Sequence, residues 1–304
     1  MTTDRRQSRA PRASAVTLPS VLDPPPTVLD FLVERFPRID REIWQGRMAN
    51  GKVLDDADRA LDAATPYRVG LRVRYFREVE HEPEVPFQET IVFRNDRLLV
   101  VDKPHFLPVV PSGSWVNECL LYRLQRSTGL EALTPVHRLD RLTAGLVMFS
   151  IDASSRGSYH RLFDRQEVQK DYLALAHAPE RPERNHWRIE NRLGRGEPWF
   201  RMTRVDGQVN AVTEVELLNW QEGIAHFRLR PETGKQHQLR VHLAGLGYPI
   251  VDDPIYPTLQ PKGAPDFERP LRLLAERLRF RDPVTGQAMD FQSGATLELP
   301  ASRA

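Results

Sequence analysis

The sequence predicts an α+β fold, and three observations carry that expectation. Strand-like runs outnumber amphipathic helical ones, above all in the second half of the chain. At the centre, residues 145–151 form an apolar run whose length suits a strand buried on both faces. Short segments between the strands, such as 117–125 and 154–167, space their apolar residues for helices with one buried face. With 304 residues there is room for one large domain or two, and 25 prolines against 17 glycines point to many extended connections. A formal charge of +2 and a pI near 8.8 do not attract polyanions in bulk, so any nucleic-acid contact has to come from local basic patches. The single cysteine, Cys119, excludes an internal disulfide and gives no metal cluster, and no stretch has the apolar length needed to cross a bilayer. These features point to a protein of a reducing compartment, the cytoplasm.

Residues 1–26 read as a disordered basic tail, with Arg5, Arg6, Arg9 and Arg12 against Asp4, closed by the stiff Asp23-Pro24-Pro25-Pro26. An organelle transit peptide has a similar composition. Residues 27–80 form a small α/β appendage. It holds a helix over 28–36 ended by Pro37, a second over 39–47, a hairpin turn at Asn50-Gly51, and a strand over 69–75. The main domain spans 87–304. Its first strands, 90–94 and 97–102, flank the Asn95-Asp96 turn and end at Lys103-Pro104, and the helix over 117–125 buries Leu120, Leu121 and Leu124.

The chain is organised around residues 134–151, where a polar, doubly basic loop runs straight into the central apolar strand and delivers Asp140 to its mouth. Positive charge from Arg138 and Arg141 favours the carboxylate, which suits a nucleophile or charge stabiliser better than a general acid. Taken alone, the simpler reading is a surface loop with a solvated ion-pair cluster. After a helix over 154–167, the strand over 168–178 puts Lys170 and Tyr172 on one face. Residues 181–204 hold seven arginines and three glutamates, with Trp187, Trp199 and Phe200 interleaved. That pattern suits RNA, through phosphate contacts and stacking, and equally suits a solvated strand pair with half-buried tryptophans. Strands over 211–218 and 224–229 lead to a helix that Thr233 caps, with Leu239, Leu243 and Leu246 as its buried stripe. His237 and Arg240 share a face beside the helix N-terminus, and a last edge strand is expected at 295–299.

The segment His137-Arg138-Leu139-Asp140-Arg141-Leu142-Thr143-Ala144-Gly145-Leu146 resembles the signature of the RluA-type pseudouridine synthases, with Ala144 where the family usually has Ser. Lys170-Asp171-Tyr172, residues 234–242 and Asp253-Pro254-Ile255-Tyr256 keep the family's order. The resemblance covers residues 90–260 well and 27–80 weakly. It implies a mixed, largely antiparallel sheet flanked by helices, with the active site in a cleft across it, and an S4-like N-terminal domain over 27–80. Asp140 is then the catalytic carboxylate and Arg240 its partner. The Tyr172 ring stacks on the flipped uracil, with a hydroxyl placed to help remove the C5 proton. Arg138 fills the vacated base stack, and Lys103, His137, Arg141, Lys170, Lys235 and His237 contact the RNA.

Residues 105–111 depart from the small, Gly-containing segment that the family places after Lys-Pro. No cofactor is expected, since no glycine-rich loop occurs. No metal is expected either, since His237 and His242 stand five apart and zinc pairs on a helix stand four apart. The resemblance implies RNA, ribosomal or transfer, as the partner, and a monomer is expected. Glycoside hydrolysis generally uses two carboxylates, and only Asp140 stands out, which fits isomerisation better. The reading from another class is a non-catalytic RNA-binding or ribosome-assembly protein on the same scaffold.

Overall fold

The computed structural model describes residues 8–79, 81–261 and 263–297. The chain divides into two compact units. The first takes the residues up to Pro83 together with Pro111–Asn117, and the second takes Glu84–Val110 and the chain from Glu118 onward.

The first unit runs β1 (Ser8–Arg9), β2 (Ser14–Thr17), α1 (Val28–Arg35), α2 (Arg41–Ala49), β3 (Val53–Leu54), β4 (Arg72–Tyr75) and β5 (Glu78–Val79). β2 and β3 flank β4 in a three-stranded antiparallel sheet, and β1 pairs with β5. Its core gathers Leu29, Leu32, Trp44, Val53 and Val73. Thr27 caps α1 by accepting the Asp30 N–H at 3.1 Å. Two expectations are corrected here. The disordered tail does not reach residue 26, because β2 is paired along its length and Leu18 is 1% exposed in the core; residues 1–7 lie outside the described residues. Asn50-Gly51 ends α2 and makes no β-hairpin. Asn50 is the C-cap and Gly51 has φ +64°, so the left-handed residue that a hairpin turn would need serves as a helix stop.

The second unit runs β6 (Thr90–Arg94), β7 (Leu98–Lys103), α3 (Leu120–Thr128), β8 (Thr134–Pro135), β9 (Ala144–Ser150), α4 (Arg156–Asp164), β10 (Gln169–His177), β11 (His186–Arg195), β12 (Met202–Val205), β13 (Ala211–Gln221), β14 (Ile224–Pro231), α5 (Gln238–Gly245), β15 (Leu273–Arg281) and β16 (Ala288–Gln292). Eleven strands form one sheet in the order β12-β11-β13-β14-β10-β15-β9-β7-β6, with β16 on β15 and β8 on β9. Among the described strand pairs of this sheet only β9–β15 is parallel, so the sheet is mixed and largely antiparallel.

β9 is buried at all seven positions because alternate side chains feed two cores. Val147 and Phe149 join Leu99, Val101 and the buried faces of α3 and α5. Leu146 and Met148 join Leu98, Val100 and the buried face of α4. β15 and β16 went unforeseen. Leu273–Arg281, with its Leu and Arg content, mimics an amphipathic helix, but Leu278 and Phe280 alternate with exposed or half-buried arginines at the period of a strand. The final strand is therefore β16. Residues 295–297 are in no strand, and 298–299 lie outside the described residues.

The β9–β15 contact depends on Gly145, which has φ +109° and pairs with Ala275. A Cβ at this position would stand 2.2 Å from the Ala275 carbonyl oxygen and 2.7 Å from its nitrogen, backbone atoms with no flexible side chain to yield. Gly129 also has a positive φ, at +71°, but nothing lies within 4 Å of its would-be Cβ. Gly129→Ala should therefore cost about 1–2 kcal/mol, the ordinary left-handed penalty. Gly145→Ala should cost well over twice that or abolish folding; urea unfolding of the two variants side by side checks this, and equal losses would contradict the β9–β15 geometry.

Candidate active site

Asp140 lies in the loop between β8 and β9, its side chain 26% exposed. Two groups grip the carbonyls that follow it. Lys103, the last residue of β7, is 1% exposed and donates Nζ hydrogen bonds to the carbonyls of Pro104 (2.8 Å), Leu107 (2.9 Å) and Arg141 (3.3 Å). His105 Nδ1 donates to the Leu142 carbonyl at 2.7 Å. Between them they fix the turn that presents Asp140, which closes with Thr143 N–H donating to the Asp140 carbonyl. Burial pushes the Lys103 ammonium down to about 7, against the opposing pull of the Asp140 charge.

The cation facing Asp140 comes from α5. Arg240 Nη1 stands 3.5 Å from Asp140 Oδ2, a long contact, while Nε and Nη2 make a bidentate pair with Asp253 at 2.8 and 2.6 Å. Side-chain exposure is 2% for Arg240 and 0% for Asp253. Asp253 Oδ1 also accepts the N–H groups of Ile255 (2.8 Å) and Tyr256 (3.1 Å), which folds Asp-Pro-Ile-Tyr into a turn. That turn lays the Tyr256 ring against Arg240, 5.3 Å from guanidinium carbon to ring centroid. His237 precedes α5 at φ +54°, with Nε2 3.9 Å from Asp140 Oδ2 and Nδ1 3.0 Å from Tyr256 Oη. Burial lowers its pKa, and Asp140 opposes the shift.

Gln238 holds the approach to α5. Its Oε1 accepts from Thr233 Oγ1 (2.8 Å) and Lys235 N–H (3.0 Å), and its Nε2 donates to the Val212 carbonyl (3.0 Å) and Thr213 Oγ1 (2.8 Å). Thr233 is consequently no helix cap, and α5 starts at Gln238. Tyr172, on β10, is a phenol held well above its usual value by burial and by the charge of Asp140. β10 and β15 slip register between Asp171 and Tyr172. Asp171 itself is buried between Arg230 (2.9 Å) and Arg279 (2.5 Å).

A sequence model of the RNA pseudouridylate synthase family matches residues 97–245. Over 228 residues the chain is 30% identical to the dual-specificity RNA pseudouridine synthase RluA of Haemophilus influenzae, covering 71% of this chain and 97% of that protein. The chain belongs to the RluA-type RNA pseudouridylate synthase family. The synthase is also 30% identical over 281 residues to the ribosomal large subunit pseudouridine synthase D of Xanthomonas campestris, covering 84% of this chain and 81% of that one. Some longer relatives are matched over 32–60% of their length. In fold it is similar to human RNA pseudouridylate synthase domain containing 1, with a TM-score of 0.57 over 71% of this chain and 86% of that one, at 24% identity. No helix among the described residues is long and apolar enough to cross a membrane.

The structure of the synthase brings Asp140, Arg240 and His237 together, with Tyr172 within reach of the Asp140 charge, and sorts the expected RNA contacts. Arg138 and Lys235 are exposed, and among the described residues neither side chain has a hydrogen bond or ion pair. Lys170 is half-buried, with one long Nζ contact to the Thr233 carbonyl at 3.4 Å, and burial pushes it down to about 8. Lys103 and His137, expected at the RNA, have their polar groups engaged within the protein. Lys103 spends its donors on carbonyls, and His137 stacks on Phe163 at 4.5 Å while Nε2 accepts the Met148 N–H at 3.1 Å. Arg141 is half-buried and is pushed down to about 10 by burial and by Arg240, so its charge faces another cation.

The basic and aromatic stretch over 181–204 resolves in part to a solvated strand pair. Arg188 pairs with Glu190, Glu214 and Glu232, and Trp187 packs on Phe227 and Tyr248. Trp199, at the β11–β12 tip, is 53% exposed. Phe106, in the divergent segment after Lys-Pro, takes φ +66° and is buried 5.1 Å from the Phe267 ring. Sequence reasoning missed His105, Gln238, Asp253 and Tyr256 as parts of the site; for the last two the Asp-Pro-Ile-Tyr motif was the available signal.

Three imidazoles are kept neutral by burial: His137 is pushed down to about 3, and His105 and His242 to about 4. In the unfolded chain each titrates near 6.5, so it takes up a proton on unfolding below that pH. Their stabilising contribution is present in full above about 6.5 and lost as pH falls toward 4. His137→Gln keeps an acceptor for the Met148 N–H and cannot titrate. It should flatten the pH dependence of unfolding free energy between pH 6.5 and 4.5 by about one proton; an unchanged slope would show that His137 is protonated in the fold.

Proposed function

We propose that the synthase isomerises a uridine of large-subunit ribosomal RNA or of transfer RNA, in the cytoplasm and as a monomer, with Asp140 as the catalytic carboxylate. The observation that carries this reading is the position of Asp140. It is a partly open carboxylate beside buried groups, backed by an arginine whose Nε and Nη2 are engaged by Asp253.

The reaction breaks the bond from ribose C1′ to uracil N1, turns the base and joins C1′ to C5, after which the C5 proton leaves. No atom is added, so no water has to be activated. Asp140 faces the electron-poor C1′ as the glycosidic bond breaks, and Arg240 keeps the carboxylate aimed. The Tyr172 ring, close enough to feel the Asp140 charge, stacks on the uracil in this reading. With its phenol held neutral by burial and by Asp140, it suits stacking better than taking the C5 proton. Reaching the base costs a few kcal/mol of unstacking, least where the uridine is unpaired. Arg138, exposed and free of partners among the described residues, fills the gap in the stack. The N-terminal unit, with its two helices and small sheet, serves as an S4-like aid to RNA targeting.

The test is nucleoside chromatography of ribosomal and transfer RNA after incubation with the purified protein. Wild type should yield pseudouridine, and Asp140→Asn should lower turnover by at least about a hundredfold while RNA binding persists. Residual activity of Asp140→Asn within tenfold of wild type would move the chemistry to another residue. Binding without any product from wild type would favour the non-catalytic reading.

A further inference from the structure

Tyr256 occupies an unusual junction. Its ring lies between two guanidinium groups, with the carbons of Arg240 and Arg201 each 5.3 Å from the centroid. Arg240 faces Asp140, whereas Arg201 belongs to the β11–β12 connection, where its Nη2 donates to the Pro257 carbonyl at 2.9 Å. The hydroxyl bridges the same two regions. Oη accepts the Met202 N–H at 2.7 Å, lies 3.1 Å from the Met202 carbonyl oxygen and lies 3.0 Å from His237 Nδ1. Beyond a His242 Nε2–Asn191 Oδ1 contact at 3.1 Å, a cavity of about 480 Å³, lined among others by Thr203, Val241 and Leu246, separates the hairpin from α5. Tyr256 is a tie across that gap.

A phenol has one proton to donate, and here two acceptors compete for it. If Oη donates to His237 Nδ1, the imidazole proton resides on Nε2 and points toward Asp140 Oδ2 at 3.9 Å, a favourable donor for a carboxylate. If Oη donates to the Met202 carbonyl, His237 must carry its proton on Nδ1, and the Nε2 lone pair is turned on the Asp140 charge. The placement of the hairpin strand thus decides which face His237 shows to the catalytic carboxylate.

We propose that Tyr256 is a positioning residue that couples the seating of the β11–β12 hairpin to the arrangement of His237 and Arg240 around Asp140. The hairpin tip carries the exposed Trp199, so RNA seated there would draw on the same tie. This inference rests on the proposed isomerase activity, and wild-type turnover is therefore the first measurement: no product from wild type would fail that reading, whatever the variants do.

With an active wild type, Tyr256→Phe keeps the ring between the two arginines and removes the shared proton. It should lower kcat about tenfold or more at saturating RNA, with RNA affinity within about twofold of wild type. Nitrogen-15 NMR of the His237 side chain should report the Nε2–H tautomer in the wild type and a mixture in Tyr256→Phe. Arg201→Met, which loosens the hairpin side alone, should lower kcat in the wild-type background and add little in Tyr256→Phe. An unchanged kcat in Tyr256→Phe, an unchanged tautomer, or fully additive losses would overturn the coupling. If Tyr256→Phe does not fold, Arg201→Met with His237 NMR decides: a tautomer shift supports the tie and an unshifted one removes it.

Discussion

The buried pair of Arg240 and Asp253 is the constraint on which the rest of the site depends. A guanidinium 2% exposed is tolerated only if its donors find acceptors, and Asp253 takes two of them in a bidentate fork. That commitment leaves Nη1 for Asp140, and the 3.5 Å separation keeps the Asp140 carboxylate from being locked into the pair itself. Asp253 at the same time folds the turn that brings Tyr256 under the arginine, so one ion pair orients three side chains. The exposed network of Arg188 with Glu190, Glu214 and Glu232 has more partners and much less consequence, since solvent screens each contact.

The opposite wall is built by different means. Lys103 and His105 hold the carbonyls of Arg141 and Leu142, and Gly145 lets β9 come against β15 closely enough to bring the loop over the sheet. Asp140 is thus supported from its own loop by hydrogen bonds to backbone and faced by a cation whose position is set a hundred residues later. Both walls are held by buried polar contacts, whereas the cations Arg138 and Lys235 are exposed.

Much of this was legible in the sequence. The run of apolar residues after Gly145 has the composition of a strand buried on both faces, and β9 is that strand. The Asp140 loop and the Arg240 helix were found because each carries a dense local motif. What stayed hidden depends on contacts remote in sequence. Lys103 is indistinguishable from a surface lysine until three carbonyls are seen around its ammonium. Thr233 has the look of a helix cap, but Gln238 competes for its hydroxyl and delays the helix. β15 went unread because Leu and Arg serve either period. Arg138 and Arg141 seem by adjacency to be the partners of Asp140, whereas one is exposed and the other faces Arg240.

The central claim is that Asp253 holds Arg240 for the benefit of Asp140, and the most direct measurement takes unfolding free energy and kcat together on Asp253→Asn. Removing one charge of the buried pair should cost about 3–5 kcal/mol of stability, because buried Arg240 keeps its charge with only the long contact to Asp140 to offset it. At a temperature where the variant is still folded, kcat should also fall, as the guanidinium turns from its place facing Asp140. A folded Asp253→Asn protein with wild-type kcat would contradict the account, since Asp140 would then work without an arginine held in position.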